Sequence, residues 1–213
     1  PDAITSFNIF IELFETSNLT NKSFKPTISF DSGNAWTSIR LFSAAVDEIL
    51  MVFNKISKLV YTSSIGAYSS REIFKEEESD FKEEPMDMFP GWAKRMAEMQ
   101  IKAYQIQYGL DDYSIVRPCN VYGPGDNFDP ENAMVIPSLM SRIRSGENPM
   151  MIWGDGSAIR DFAFSRDVAI GTIQALFYGS KGRYLNLGSG KAVTIKELVE
   201  TLSNFLDFKY EFD

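Results

Sequence analysis

The stretch Leu59-Val60-Tyr61-Thr62-Ser63-Ser64-Ile65-Gly66-Ala67-Tyr68 decides the fold class of this sequence. Its first four residues are apolar or β-branched, and they predict a short buried strand that ends where the small residues begin. Before this strand, apolar residues recur at three- and four-residue steps over residues 34–54 and predict an amphipathic helix. A helix followed by a buried strand is the order typical of an α/β sheet.

Helix and strand patterns alternate after this stretch as well. The predicted helices cover residues 91–108, 133–145, 165–178 and 194–206, and the predicted strands cover residues 112–117, 149–153, 183–187 and 208–212. Thr194-Ile195-Lys196-Glu197 has the form of a capping box, which marks the start of the last helix. The alternation predicts an α/β fold with a parallel sheet and covering helices.

Composition and charge exclude several classes of function. The chain has 213 residues, 44% of them hydrophobic, and a net charge of −8, so a broad surface for DNA or RNA is not expected. It has no histidine and a single cysteine, Cys119, which excludes Ser-His-Asp and Cys-His catalysis and the common zinc sites, and no metal is predicted. No apolar run approaches the roughly 20 residues of a membrane span, so the expected location is the cytoplasm.

Five motifs then occur in one order. They are residues 61–68, Gly91-Trp92-Ala93-Lys94, Arg117-Pro118-Cys119-Asn120-Val121-Tyr122-Gly123-Pro124, Trp153-Gly154-Asp155-Gly156-Ser157, and Arg160-Asp161-Phe162. Together they resemble the extended short-chain dehydrogenase/reductases, the NAD-dependent epimerase/dehydratase family that acts on nucleotide sugars. Residues 127–137 are most similar to the GDP-fucose synthase branch. The resemblance implies a Rossmann-type sheet that binds NAD or NADP and a small lobe that binds the nucleotide sugar.

The resemblance also implies site residues on the cofactor side. Ser64 corresponds to the serine that hydrogen-bonds the substrate oxygen, and Lys94 to the lysine that binds the nicotinamide ribose and lowers the pKa of a neighbouring phenol. Without the family, Ser64 would be read as a strand-end turn residue and Lys94 as an exposed helix cation. Pro118, Cys119, Asn120 and Val121 correspond to the segment at the nicotinamide end. Cys119 itself is expected to be a small packed residue rather than a nucleophile.

On the substrate side, the resemblance implies that Arg142 and Arg160 grip the nucleotide sugar and that Trp153 packs beside it. Arginine suits a diphosphate because its fork of donors binds two oxygens at once and remains charged. The alternatives are that Arg142 is a solvated helix residue and that Arg160 pairs with Asp161 or Asp167.

Three positions depart from the family pattern. Pro90 stands four residues before Lys94, where the family has its catalytic tyrosine. Gly66 and Met134 stand where the fucose synthase branch has a cysteine and a histidine that move protons. None of the three can act as an acid or base, so impaired catalysis is expected. The phenols that could substitute are those of Tyr61, Tyr68 and Tyr122.

The expected organisation is one partial unit over residues 1–213. Residues 1–124 and 161–190 form its cofactor-type sheet region, and residues 125–160 and 191–213 its substrate lobe. Gly33 is the only glycine before Gly66, so no glycine-rich phosphate loop can be written there. The first strands of the usual sheet are therefore expected to be missing from residues 1–65, and weak NAD or NADP binding is expected.

Two interpretations follow from these patterns. The first is a catalytically impaired nucleotide-sugar epimerase/dehydratase/reductase-type protein. The second is a non-catalytic protein that binds nucleotide sugars or regulates an intact subunit. Under both, the resemblance implies a homodimer through a four-helix interface built from residues 34–54 and 91–108.

Overall fold

The structure is a computed structural model, which describes residues 11–13, 58–78, 82–109, 111–179 and 182–213. The predicted helix over residues 34–54 lies outside the described residues. In chain order the strands are β1 Ile11–Leu13, β2 Leu59–Thr62, β3 Tyr113–Pro118, β4 Asn120–Tyr122, β5 Met150–Ile152, β6 Ile159–Arg160, β7 Phe162–Phe164, β8 Arg183–Leu187, β9 Val193–Thr194 and β10 Tyr210–Phe212. The α-helices are α1 Met88–Tyr108, α2 Val135–Arg144, α3 Ser165–Tyr178 and α4 Ile195–Phe205.

The chain divides into two compact units. The first consists of the described residues up to Pro118 together with those of Ile170–Leu187, and the second of those in Cys119–Ala169 and Gly188–Asp213. The assignment of cofactor binding to one region and of substrate binding to the other stays a prediction.

The first unit contains a four-stranded sheet in the order β1-β2-β3-β8. Strands β2, β3 and β8 run parallel, which confirms the predicted parallel sheet. Their register places Tyr61 beside Ile115 and Val116 beside Leu185. Strand β1 joins the edge antiparallel to β2, which the sequence does not predict.

Alternation along the strands of the first unit places apolar side chains on both faces of the sheet. Leu59 and Tyr61 pack with Ala97 and Ile101 of α1, whereas Val60 packs on the other face in a cluster with residues of α3. A sheet covered on both faces explains why the strands read as nearly continuous apolar runs.

The second unit contains three two-stranded sheets, β5 with β10, β4 with β7, and β6 with β9. Its core consists of the buried residues Leu139, Met150, Ile152, Val199 and Phe208. The capping box at the start of α4 is confirmed, because Thr194 accepts from the Glu197 amide and the Glu197 carboxylate accepts from the Thr194 amide.

Most predicted helices and strands are confirmed within a few residues. Helix α1 begins at Met88, three residues before the predicted start. The short strands β4, β6, β7 and β9 are not predicted, because two or three residues are too few to show a period. Within the described ranges, no helix is long and apolar enough to cross a bilayer.

Candidate active site

Ser64 lies where β2 ends and a 3-10 turn over Ile65–Ala67 begins. The Ser63 amide closes the strand on the Val116 carbonyl at 2.7 Å, and Ser64 then caps the turn, with its Oγ accepting from the Gly66 amide at 3.0 Å. A hydroxyl that accepts through one lone pair can still donate its proton. Ser64 therefore has the strand-end turn role, which leaves the predicted role toward a substrate oxygen chemically open.

Lys94 faces inward from α1 and is only 8% exposed, so the interpretation as an exposed helix cation is wrong. Its Nζ donates to the carbonyl of Thr62 at 2.9 Å and lies 5.6 Å from the ring centroid of Tyr61. Burial lowers the pKa of Lys94 to about 8, and the nearby Glu98 carboxylate opposes that shift. The ammonium thus binds the last residue of β2, which is two residues before Ser64 in the chain.

A buried charged network lies behind this lysine. The Glu98 carboxylate, completely buried, accepts from Ser63 Oγ at 2.5 Å, from Arg117 Nε at 2.9 Å and from Arg117 Nη2 at 2.5 Å. The Arg117 guanidinium lies between the rings of Tyr68 and Tyr184, with centroids 4.1 and 4.5 Å away. Sequence reasoning missed this network because its members are far apart in the chain. The one available signal is an arginine inside the apolar strand β3.

The turn that carries Ser64 packs tightly against the start of α1. A Cβ placed on Gly66 would collide with the Asp87 carboxylate, and one on Gly91 would lie 2.5 Å from the Gly66 carbonyl oxygen. The Asp87 amide donates to that same carbonyl at 3.2 Å. Close backbone approach therefore requires a glycine at position 91, whereas a side chain at position 66 would require the Asp87 side chain to move.

The position of the family's phenol is occupied by Pro90, in the first turn of α1, where a missing amide donor costs little. Two of the three phenols that could substitute are buried. Tyr61 is 1% exposed, and burial, followed by the charge of Glu98, raises its pKa above the usual range. Tyr68 is also buried and donates from its hydroxyl to Asn186 Oδ1 at 2.9 Å. Both phenols therefore serve the core of the first unit.

The segment predicted for the nicotinamide end lies at the end of β3 and in β4. Pro118 is the last residue of β3, and Cys119 is half-buried. Burial raises the pKa of the Cys119 thiol to about 11, with a smaller contribution from Asp161, so the thiol is protonated at neutral pH. Asn120 donates from its amide and its Nδ2 to the Asp161 carbonyl, at 3.2 and 3.0 Å, and Val121 is exposed. A packed thiol agrees with the expectation that Cys119 is no nucleophile.

The substrate-side residues all lie in the second unit. Arg142 is not a solvated helix residue: its Nε donates to Glu147 Oε2 at 2.7 Å, its Nη2 donates to Glu147 Oε1, and the same Nη2 donates to the Met151 carbonyl at 2.5 Å. The hydrogen bond to Glu147 raises the pKa of Arg142. Any anion that binds Arg142 must therefore compete with a carboxylate already in place.

Trp153 and Arg160 are exposed, with 87% of Trp153 open to solvent. Arg160 Nη1 donates to the Ile159 carbonyl at 2.7 Å. In the part of the chain that the structure describes, no ion pair joins Arg160 to Asp161 or Asp167, and the Asp161 carboxylate accepts from the amide and hydroxyl of Ser189 instead. Met134, which stands at the histidine position of the fucose synthase branch, occupies the N-cap position of α2 without a side-chain hydrogen bond and is 59% exposed.

Comparison with known proteins agrees with this geometry. Residues 21–188 match the NAD dependent epimerase/dehydratase family. GDP-L-fucose synthase 1 of Arabidopsis thaliana is 38% identical over 130 residues, which cover 59% of this chain and 40% of that protein. GDP-L-fucose synthase of Escherichia coli is 30% identical over 172 residues, which cover 73% of this chain and 53% of that protein.

Among solved structures, UDP-N-acetylglucosamine 4-epimerase from Methanobrevibacter ruminantium, in complex with UDP-N-acetylmuramic acid, superposes with a TM-score of 0.67 at 29% identity, covering 80% of this chain and 55% of that one. This chain spans between two fifths and about half the length of the two curated relatives. The Rossmann-type α/β fold and the similarity to GDP-fucose synthases predicted from the motifs are confirmed. The chain belongs to the NAD-dependent epimerase/dehydratase family.

Proposed function

We propose that this chain is a nucleotide-sugar protein of the epimerase/dehydratase/reductase type whose acid–base step is impaired. One observation carries the proposal. The position four residues before the buried Lys94 is Pro90, while the phenols of Tyr61 and Tyr68 in the same unit are enclosed in its core. A positioned acid–base group is worth about 10²–10⁴-fold in rate, so its loss removes most of the expected turnover.

The described residues fit the nicotinamide half of a cofactor site. Ser64 and Pro118 lie where the parallel strands β2 and β3 end, which is the edge at which doubly wound sheets bind dinucleotides. NAD or NADP would supply the hydride acceptor or donor when bound. In this proposal, Lys94 holds the ribose hydroxyls, Ser64 donates to the substrate oxygen, and residues Pro118, Cys119, Asn120 and Val121 border the nicotinamide. Residues 1–65 contain no glycine-rich loop whose backbone amides could hold the cofactor's phosphates. In this proposal, cofactor binding is therefore weak.

The substrate proposed is a nucleoside diphosphate sugar. Arg160 and Trp153 support it, because an exposed guanidinium and an exposed indole can contact a diphosphate and a sugar or base face. Arg142 contributes only if the diphosphate displaces Glu147 from its guanidinium.

A second candidate is the non-catalytic role, in which the chain binds nucleotide sugars or regulates an intact subunit. The buried Tyr61 and Tyr68 favour it, because neither phenol can substitute at the lost position. Both candidate functions include a homodimer that forms through α1. Met96, Met99 and Ile106 are exposed on that helix and support it.

The test of the function is turnover of GDP- and UDP-sugars in the presence of NAD(H) or NADP(H), followed by mass spectrometry and by nicotinamide absorbance. We expect no detectable epimerisation, dehydration or reduction by the wild type or by Pro90→Tyr, because the added phenol does not improve cofactor binding. Robust wild-type turnover would contradict the proposal and would implicate another group, with Tyr122 the first to replace by phenylalanine.

Substrate binding is tested separately by calorimetric titration of the same nucleotide sugars. Arg160→Ala should weaken binding about tenfold or more, the effect expected for loss of a charge-assisted hydrogen bond. Arg144→Ala is the matched control, because Arg144 is an exposed arginine in the last turn of α2 that is assigned no ligand. Equal affinities in the two variants would remove the substrate assignment of Arg160.

A further inference from the structure

Two charged residues one turn apart on α1 reach the end of β2 together. Lys94 Nζ donates to the Thr62 carbonyl at 2.9 Å, and Glu98 Oε1 accepts from the Ser63 hydroxyl at 2.5 Å. Thr62 and Ser63 are the two residues immediately before Ser64. One helical turn of α1 therefore fixes the short segment that carries the candidate serine.

The Glu98 carboxylate is itself held at both oxygens. Arg117 donates to Oε1 through Nε and to Oε2 through Nη2, a two-point geometry that prevents the carboxylate from rotating. The Arg117 guanidinium is in turn enclosed by the rings of Tyr68 and Tyr184. Ser63 thus donates to an oxygen whose position is set by β3 and by two aromatic rings.

Stability alone does not explain such an arrangement. The free energy that a buried ion pair gains from electrostatic attraction is largely offset by the cost of removing both charges from water. An apolar pair of similar volume is therefore often as stable. Glu98 and Arg117 are nevertheless at most 1% exposed, in the layer between sheet and helix. The contacts they make distinguish them from an apolar pair, because they fasten the strand end that precedes Ser64.

We propose that Glu98 is a positioning residue of the candidate active site: its carboxylate, oriented by Arg117, holds the end of β2 against α1 and so keeps Ser64 and Lys94 in register. The inference rests on the proposed function, in which Ser64 and Lys94 are the residual pair.

The same carboxylate sets the electrostatic surroundings of Lys94. Among the described residues, the charged and titratable groups near the ammonium include Glu98 on its own helix, Tyr61 on β2 and, beyond Glu98, Arg117 on β3. Burial lowers the pKa of Lys94, and Glu98 is the group that opposes the shift. Removing the charge of Glu98 should therefore lower that pKa further.

The first experiment measures the geometry of the serine turn in the full chain. Ser63→Ala removes only the bond to Glu98, and Ser114→Ala is its matched control, a buried serine of β3 whose hydroxyl has no hydrogen-bond partner among the described residues. The readout is amide hydrogen exchange at Gly66, whose N–H donates to Ser64 Oγ. We expect exchange about tenfold faster in Ser63→Ala than in Ser114→Ala, after correction for each variant's global stability. Equal exchange at Gly66 in the two variants would overturn the proposal.

The second experiment measures the ionisation of Lys94 by NMR of ¹³C-methylated lysines in Glu98→Gln and in Asp87→Asn, which removes an exposed carboxylate at the start of the same helix. We expect the pKa of Lys94 to fall by roughly half a unit or more in Glu98→Gln and to stay at the wild-type value in Asp87→Asn. The same fall in both variants, or none in either, would overturn the electrostatic part of the proposal. If Glu98→Gln does not fold, the Ser63→Ala result decides. Neither readout uses a nucleotide sugar, so failure of the proposed function, seen as absent binding, is distinguishable.

Discussion

Helices α1 and α4 bury opposite kinds of side chain. The inward face of α1 carries Gly91, Lys94, Arg95, Ala97, Glu98 and Ile101, whereas α4 packs Ile195, Leu198, Val199 and Leu202 into a wholly apolar core. Burying an apolar face stabilises a helix against its sheet, but burying charges does so only when every charge is paired and hydrogen-bonded. The difference indicates that α4 is built for stability and that α1 is built to hold particular backbone atoms in place.

The contacts of Arg95 support this distinction. Its side chain is 1% exposed, and it donates from Nε to the Ala67 carbonyl at 2.5 Å and from Nη2 to Ser69 Oγ at 3.0 Å. A third bond runs from Nη1 to the Glu83 carbonyl. Arg95 thus fixes the far side of the turn that Ser64 opens, as Glu98 fixes the near side.

The largest effect should follow from breaking the charged face at Glu98. Glu98→Ala leaves the Arg117 guanidinium buried without its carboxylate, and we expect the free energy of unfolding to fall by about 3–5 kcal/mol, measured by urea denaturation. A small loss, under about 1 kcal/mol, would show that Arg117 finds another partner or reaches solvent.

The double variant Glu98→Met/Arg117→Met sharpens the same comparison. It replaces the pair by apolar side chains of similar size, and we expect it to recover most of the stability lost in Glu98→Ala, because neither charge then remains buried. It should still show the fast Gly66 exchange of Ser63→Ala. A double variant as unstable as Glu98→Ala would mean that the ion pair itself stabilises this unit.

A smaller effect, about 1–2 kcal/mol, is expected from the pH dependence that Lys94 imposes. Its pKa is about 8 in the folded chain against 10.5 for the free side chain, so between these values the unfolded chain binds more protons and stability rises with pH. Lys94→Met lacks this contribution. The free energy of unfolding should be measured for both proteins at pH 7.5 and at pH 9.5. Between these two pH values, the wild type should gain about 1–2 kcal/mol relative to Lys94→Met. A constant difference would contradict the lowered pKa.

The sequence-based prediction succeeds best for structure that is encoded locally. The capping box at Thr194, the buried strand β2 and the presence of a parallel sheet could be predicted, because each depends on spacing within one segment or on the alternation of segments. Which strands pair, and in which order, could not. Ser64 and Lys94 could be located only through motifs.

What could not be predicted depends on contacts between distant residues. Glu98 and Arg117 are 19 positions apart, and nothing in either segment signals that they meet. The same holds for the burial of Tyr61 and Tyr68, which looked like available phenols in the sequence. Likewise, Glu147 follows Arg142 in the chain, yet their pairing depends on how the backbone turns after α2.

The smallest effect concerns the apolar helix α4, which begins with the capping box at Thr194. Thr194→Ala removes the side-chain oxygen that accepts from the Glu197 amide, and we expect a loss of about 1 kcal/mol in the free energy of unfolding. Thr201→Ala is the matched control, because Thr201 lies on the exposed side of the same helix and its hydroxyl donates only to the Glu197 carbonyl, one turn earlier. That change should be neutral or slightly stabilising, since alanine favours a helix interior. Because the cap acts on α4 alone, neither variant should alter Gly66 exchange. Faster exchange there in Thr194→Ala would show that the two helices are not independent, and the contrast between a helix that stabilises and a helix that positions would fail.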